Sequence, residues 1–144
     1  MISSNTYLIF NGNCREAMNF YKQAIGGDLQ LMTFGEAPGA DKLPKGTEDR
    51  IVHAYLSKGP MVIMASDNMP GMPHSQGNNF SISLNCETIP ESEKLFAALG
   101  AQAQKITMPL GETFWAIRFA MLTDKFGVNW MINLGKPAHQ TAGK

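Results

Sequence analysis

Two cysteines in 144 residues, Cys14 and Cys86, are too few and too widely separated for a disulfide framework, a CxxC redox pair or a zinc-ligand set. They read as reduced thiols of an intracellular protein. Twelve basic side chains balance twelve acidic ones, giving a formal net charge of zero and no local basic cluster. Such a chain has no overall field to draw it to nucleic acid or to an anionic membrane. No apolar run approaches the ~18 residues of a membrane span, and the start MISSNTYLIFNGN lacks a basic segment followed by an apolar one. The expected address is the cytoplasm, with neither nucleic acid nor membrane as a partner. There is no GxGxxG, Walker loop, HExxH or GxSxG motif, and no Ser/His/Asp set that spacing singles out. Common cofactor and hydrolase mechanisms gain no support.

What is present is a pattern that occurs twice within a length suited to one domain, 1–144. Residues 6–11 alternate as a strand, 13–27 place Ala17, Phe20, Tyr21 and Ala24 at helical spacing, and Gly26 and Gly27 supply the stop. Strands are expected at 28–34, 50–57 and 60–66, with a polar loop at 35–49. The order then recurs: strand 79–85, helix 88–100 with Pro90 in its first turn, and three strands within 101–108, 113–122 and 127–134. The fold class is therefore α+β, with βαβββ modules at 5–66 and 79–134 joined by the loop 67–78. Two such units bury one sheet face under helices and leave the other face for a groove or a partner chain. Ten methionines suit an irregular core or an adaptable pocket.

The elements FNGNCREAMNFY, IVHAYL, MVIMASD and DKFGVNWMINL, in that order and spacing, resemble the PhnB-like branch of the vicinal oxygen chelate superfamily. That superfamily includes glyoxalase I, extradiol dioxygenases, and fosfomycin and bleomycin resistance proteins. The resemblance spans nearly the whole chain. It implies a curved mixed sheet with helices outside, and a homodimer whose modules are shared or exchanged. One departure is visible: where the family often has small glycines in WGAxFG, this chain has WAIRFA, with Ala116 and Ala120. Proteins of this branch have carried a demethylubiquinone methyltransferase label, yet no methyl-donor site is visible in this sequence.

Metal-dependent members of the superfamily place His or Glu on the first and last strands of each module, where a divalent ion acts as a Lewis acid. Spacing from the Phe20–Tyr21 and Asp124–Gly127 anchors puts Thr6, Met64, Asn79 and Met131 at those points. Hydroxyl, thioether and amide groups are poor ligands for such an ion. No metal and no other cofactor is expected. A metal at some other site is left open.

The remaining candidates each have a plainer reading. His53, mid-strand, could be an acid, base or hydrogen-bond donor, or a satisfied structural histidine. It is the one catalytic candidate. Asp67 could face a ligand or cap its own turn. Ser81 shares a polar face with Asn79 and Ser83, opposite Phe80, Ile82 and Leu84, which belong under a helix; Asn129, Met131 and Asn133 likewise oppose Val128, Trp130 and Ile132. Arg118 could clamp an anionic group or pair with an acid across a dimer, and Trp115 could stack a planar ligand. Trp130 reads as core. Glu36, Glu112, His74 and His139 read as solvated, with His74 placed where a lid could reach a site. The resulting expectation is a small-molecule-binding protein of this family without metal. The alternative is a metal-dependent lyase, isomerase or dioxygenase of glyoxalase type.

Overall fold

The computed structural model describes residues 1–137; His139 lies outside them. The chain divides into two compact units, Met1–Ser75 and Gln76–Lys144, with the boundary inside the expected connection.

In the first unit, β1 (Thr6–Phe10) leads into α1 (Cys14–Ile25), followed by β2 (Asp28–Thr33), β3 (Ile51–Lys58) and β4 (Met61–Asp67). The sheet order is β1-β4-β3-β2, with β1 parallel to β4 and the other pairs antiparallel. Helix α1 buries Cys14, Ala17, Met18, Tyr21 and Ala24, an i, i+3, i+4 stripe. It lies over the sheet face that carries Leu8, Phe10, Ala54, Leu56, Ile63 and Ala65, all buried. Gly27 ends the connection from α1 at φ +95, where its backbone presses on the Ser57 carbonyl and any side chain would collide. The long loop contains two short 3-10 turns, Phe34–Glu36 and Ala40–Lys42.

The second unit repeats the order: β5 (Ile82–Asn85), α2 (Ile89–Leu99), β6 (Lys105–Gly111), β7 (Ala116–Thr123) and β8 (Asn129–Gly135), arranged β5-β8-β7-β6. Thr88 caps α2 by accepting the Glu91 amide at 3.2 Å, and Pro90 sits in the first turn as expected. Trp130, Ile132, Leu134, Ala120, Leu122 and Leu84 form the buried face.

Strand β6 runs Lys105–Gly111 rather than within 101–108, and two further boundaries differ from the sequence reading for a physical reason. Strand β5 begins at Ile82 rather than residue 79, because its partner β8 starts at Asn129 and offers nothing to pair with residues before that point. Phe80 therefore precedes the sheet and is 61% exposed instead of lying under a helix. Strand β7 begins at Ala116, since Thr113 closes a turn in which the Ala116 amide donates to its Oγ1 at 3.0 Å.

Candidate functional site

Strand alternation leaves the sheet face opposite α1 open in the first unit. Tyr7, Met64, Tyr55 and Gln30 stand in register across all four strands, and Ile9–Ser66 and Met32–His53 are neighbouring pairs in β1–β4 and β2–β3. Four large side chains there are exposed: Ile9 by 57%, Met32 by 47%, Tyr7 by 46% and Tyr55 by 37%. Such exposure on one sheet face is an unspent hydrophobic surface. Its polar point is a Tyr7–His53 contact, with Oη 3.4 Å from Nδ1 and ring centroids 5.9 Å apart. With its proton on Nε2 the imidazole accepts from the Tyr7 hydroxyl; in the other tautomer the roles reverse. His53 reaches this face by simple alternation with Tyr55, and β3 then bulges at Val52, where Met32 pairs with His53 while Thr33 pairs with Ile51. The bulge turns Ile51 into the core although it shares parity with His53 and Tyr55.

The open face of the second unit is more polar. Ser83, Met131, Met121 and Met108 form one row, and Asn85, Asn133, Phe119 and Gly111 the next. Asn133 Nδ2 donates to Asn85 Oδ1 at 3.3 Å, and Thr123 Oγ1 donates to Asn129 Oδ1 at 2.7 Å. Trp115 meets Phe119 edge-on at 5.3 Å, which brings it to this face, and Phe114 meets Trp115 at 4.7 Å.

Several expected site residues lie elsewhere. Thr6 shares parity with Leu8 and Phe10, so it belongs to the α1 side, and Tyr7 is the β1 residue beside Met64. Arg118 shares parity with Ala120 and Leu122 and pairs with Leu134, all on the buried face; its guanidinium turns back to the Ile117 carbonyl at 2.7 Å. Asn79 and Ser81 precede β5, so the residue beside Met131 is Ser83. Asp67 is buried with both oxygens engaged: Oδ1 accepts from Gly12 and Cys14 amides at 2.8 and 3.0 Å, and Oδ2 from the Ile51 amide at 2.8 Å. It caps α1 from 53 residues away, where Asn13 makes no side-chain cap.

Asp124 has a similar structural task. Its Oδ1 accepts the Phe126 and Val128 amides at 2.8 and 3.0 Å, and its Oδ2 accepts Trp130 Nε1 at 2.8 Å. Trp130 is buried, as its place on the strand implies. His74 Nε2 lies 2.9 Å from the Ile9 carbonyl, pinning the connecting loop to the edge of β1. Glu36 accepts from the Thr33 amide and hydroxyl, and those bonds, the amide's first, lower its pKa. Glu112 pairs with Lys136 at 3.3 Å on the surface. Burial, then the Asp67 carboxylate, pushes the Cys14 thiol up to about 12; burial and Glu91 push Cys86 up to about 11. Neither thiol is prepared as a nucleophile.

Beside Met64 and Met131 on the open faces of the first and last strands stand Tyr7 and Ser83. Phenol, hydroxyl and thioether groups do not fit a divalent ion that needs imidazole or carboxylate. Among the described residues no three His, Cys, Asp or Glu side chains gather as a ligand set. No described helix is long and apolar enough to cross a membrane.

Residues 3–133 match the sequence model of the family described as 3-demethylubiquinone-9 3-methyltransferase. Protein YjdN of Escherichia coli K12 is 38% identical over 139 residues, spanning 90% of this chain and 93% of that protein. The crystal structure of protein PA1353 from Pseudomonas aeruginosa shares 46% identity and a TM-score of 0.84, over 94% of this chain and 98% of that one. A Bacillus cereus structure described as a putative 3-demethylubiquinone-9 3-methyltransferase, PhnB protein, shares 27% identity with a TM-score of 0.76, over 93% and 100%. Structures described as glyoxalase/bleomycin resistance protein/dioxygenase members superpose with TM-scores of 0.66 and 0.61 at 14% and 18% identity, a likeness of fold.

Proposed function

The chain belongs to the 3-demethylubiquinone-9 3-methyltransferase, PhnB-like family of the glyoxalase/bleomycin resistance/dioxygenase superfamily, and we propose that it binds a small organic molecule without a metal ion. The observation that carries this reading is the open face of the first unit: an apolar floor of Ile9, Met32 and Met64 beside one hydrogen-bonding couple, Tyr7 and His53. A floor of methionine and aliphatic side chains adapts to ligand shape, and a single polar couple orients what lies on it. The ligand it suits is mostly apolar with a hydrogen-bonding group. His53 is the candidate for proton transfer, should binding lead to chemistry, because imidazole is the side chain on that face suited to exchange protons near neutrality. The chain acts as a cytoplasmic homodimer in this reading.

Mass spectrometry of small molecules released from the natively purified protein, followed by titration of the recovered compound, tests it. Tyr7→Phe and Met64→Ala are expected to weaken that compound about tenfold, as loss of one hydrogen bond or of part of the apolar floor implies. Unchanged affinity in both variants overturns the assignment. Stoichiometric metal on elemental analysis, with a thermal shift of several degrees on adding Mn, Ni, Zn or Fe, overturns the metal-free part in favour of a glyoxalase-type or dioxygenase-type enzyme. Light scattering that finds a monomer removes the dimer.

A further inference from the structure

On the second unit, Phe119, Asn133 and Asn85 stand side by side on adjacent strands of the open face, with Trp115 closing the Phe119 end. The two amides bond to each other once, Asn133 Nδ2 to Asn85 Oδ1. Each primary amide offers two donors and an acceptor with two lone pairs, so that single bond leaves an acceptor and a spare donor on Asn133 and donors on Asn85. Reversing both amides preserves this property, since one donor and one acceptor still remain beside the ring. Phe119 is only partly covered, so part of its ring is open to a ligand beside its 5.3 Å contact with Trp115.

An aromatic face beside an amide whose oxygen and N–H lie side by side is matched by a flat ring bearing N–H next to C=O. Such a ring lies on Phe119 while its N–H donates to Asn133 Oδ1 and its C=O accepts from Asn133 Nδ2. A side-chain amide reads a ring edge bidentately in this way when it pairs with an adjacent donor and acceptor. A charged ligand is not matched, because the face has no cation at this row and the nearby Arg118 turns to its own strand. We infer that Phe119, Asn133 and Asn85 form a subsite for planar heteroaromatic lactams. This goes beyond the first-unit reading and uses none of its residues.

The test uses the full chain with three probes: 2-quinolone, N-methyl-2-quinolone and quinoline. Binding is followed by the ¹⁵N resonances of the Asn133 and Asn85 side-chain amides and by tryptophan fluorescence. The expected result is that 2-quinolone shifts both amides and binds about tenfold more tightly than either analogue, since each analogue loses part of the paired edge. Asn133→Ser should bring 2-quinolone to the affinity of its N-methyl analogue, and Phe119→Leu should weaken all three probes. Equal binding of the three by the natural protein, or no perturbation of the Asn133 amide at millimolar 2-quinolone, overturns the subsite. The three probes are compared on the natural protein and read at these amides, so a folding defect in either variant does not change which result sustains the subsite. Failure of the Tyr7–His53 site leaves it equally untouched.

Discussion

Asp124 shows how one buried carboxylate replaces a set of local preferences. It is fully buried, and its oxygens serve two turn amides and the indole of Trp130. Asp124→Asn keeps the shape but puts a donor against a donor on one side. The expected loss is about 2 kcal/mol of unfolding free energy, in the range for a hydrogen bond to a buried charged group. Urea denaturation followed by Trp130 fluorescence measures it, and a loss below about 0.5 kcal/mol would show that the turn holds without the carboxylate. Cys14 supplies a pH dependence. Its folded pKa is about 12 against 9.0 for the ordinary thiol, raised first by burial and then by the Asp67 charge. The unfolded chain therefore releases this proton first. The contribution is intact below pH 9 and fades as pH rises towards 12. Urea midpoints of the natural protein and Cys14→Ala, compared at about pH 8 and about pH 10.5, on either side of the ordinary thiol value, should converge at the higher pH; a constant gap would contradict the assignment.

At the scale of elements, the two helices begin by different devices. Helix α2 carries its own cap, since Thr88 accepts the Glu91 amide and Glu91 accepts the Glu87 amide at 2.9 Å. Thr88→Ala should cost about 1 kcal/mol by thermal or urea unfolding. Helix α1 is capped by Asp67 from the end of β4, a relation that no local pattern displays. Elements themselves were legible, because periods of 3.6 and 2 are written in which residues are apolar. Faces were less so. Thr6 was placed one residue from Tyr7 by counting back through the turn at residues 11–13, whose length leaves no periodic trace. Ile51, which alternation places with His53 and Tyr55, turns into the core because β3 bulges at Val52, and Arg118 lies just beyond a second irregularity, between Ala116 and Arg118. A single extra residue moves a side chain to the other face, so site assignment fails where strand assignment succeeds.

For the whole molecule, the repeated βαβββ order was visible as matching segments such as NFYKQAIGG and KLFAALGA. Each repeat has its own core, and the Asp67 clamp belongs to the first alone. Asp67→Ala should therefore lower hydrogen-exchange protection most within Met1–Ser75, where three amides and the start of α1 lose their acceptor. An equal loss across Gln76–Pro137 would contradict a local clamp. What no reading of residue order could supply is the exposed company of Tyr7 and His53, which come from β1 and β3 and meet across β4 only after the sheet has formed.

The parallel β1–β4 pair has a consequence for how the chain is made. Its two strands cannot be joined by a short hairpin, and the carboxylate that settles the β1–α1 turn arrives with the last residue of β4. On the ribosome, β1 and α1 emerge long before Asp67 does. Until then the helix start has no anchor and Phe10 and Leu8 have no parallel neighbour. The contacts that close the first unit thus become available only with its final strand.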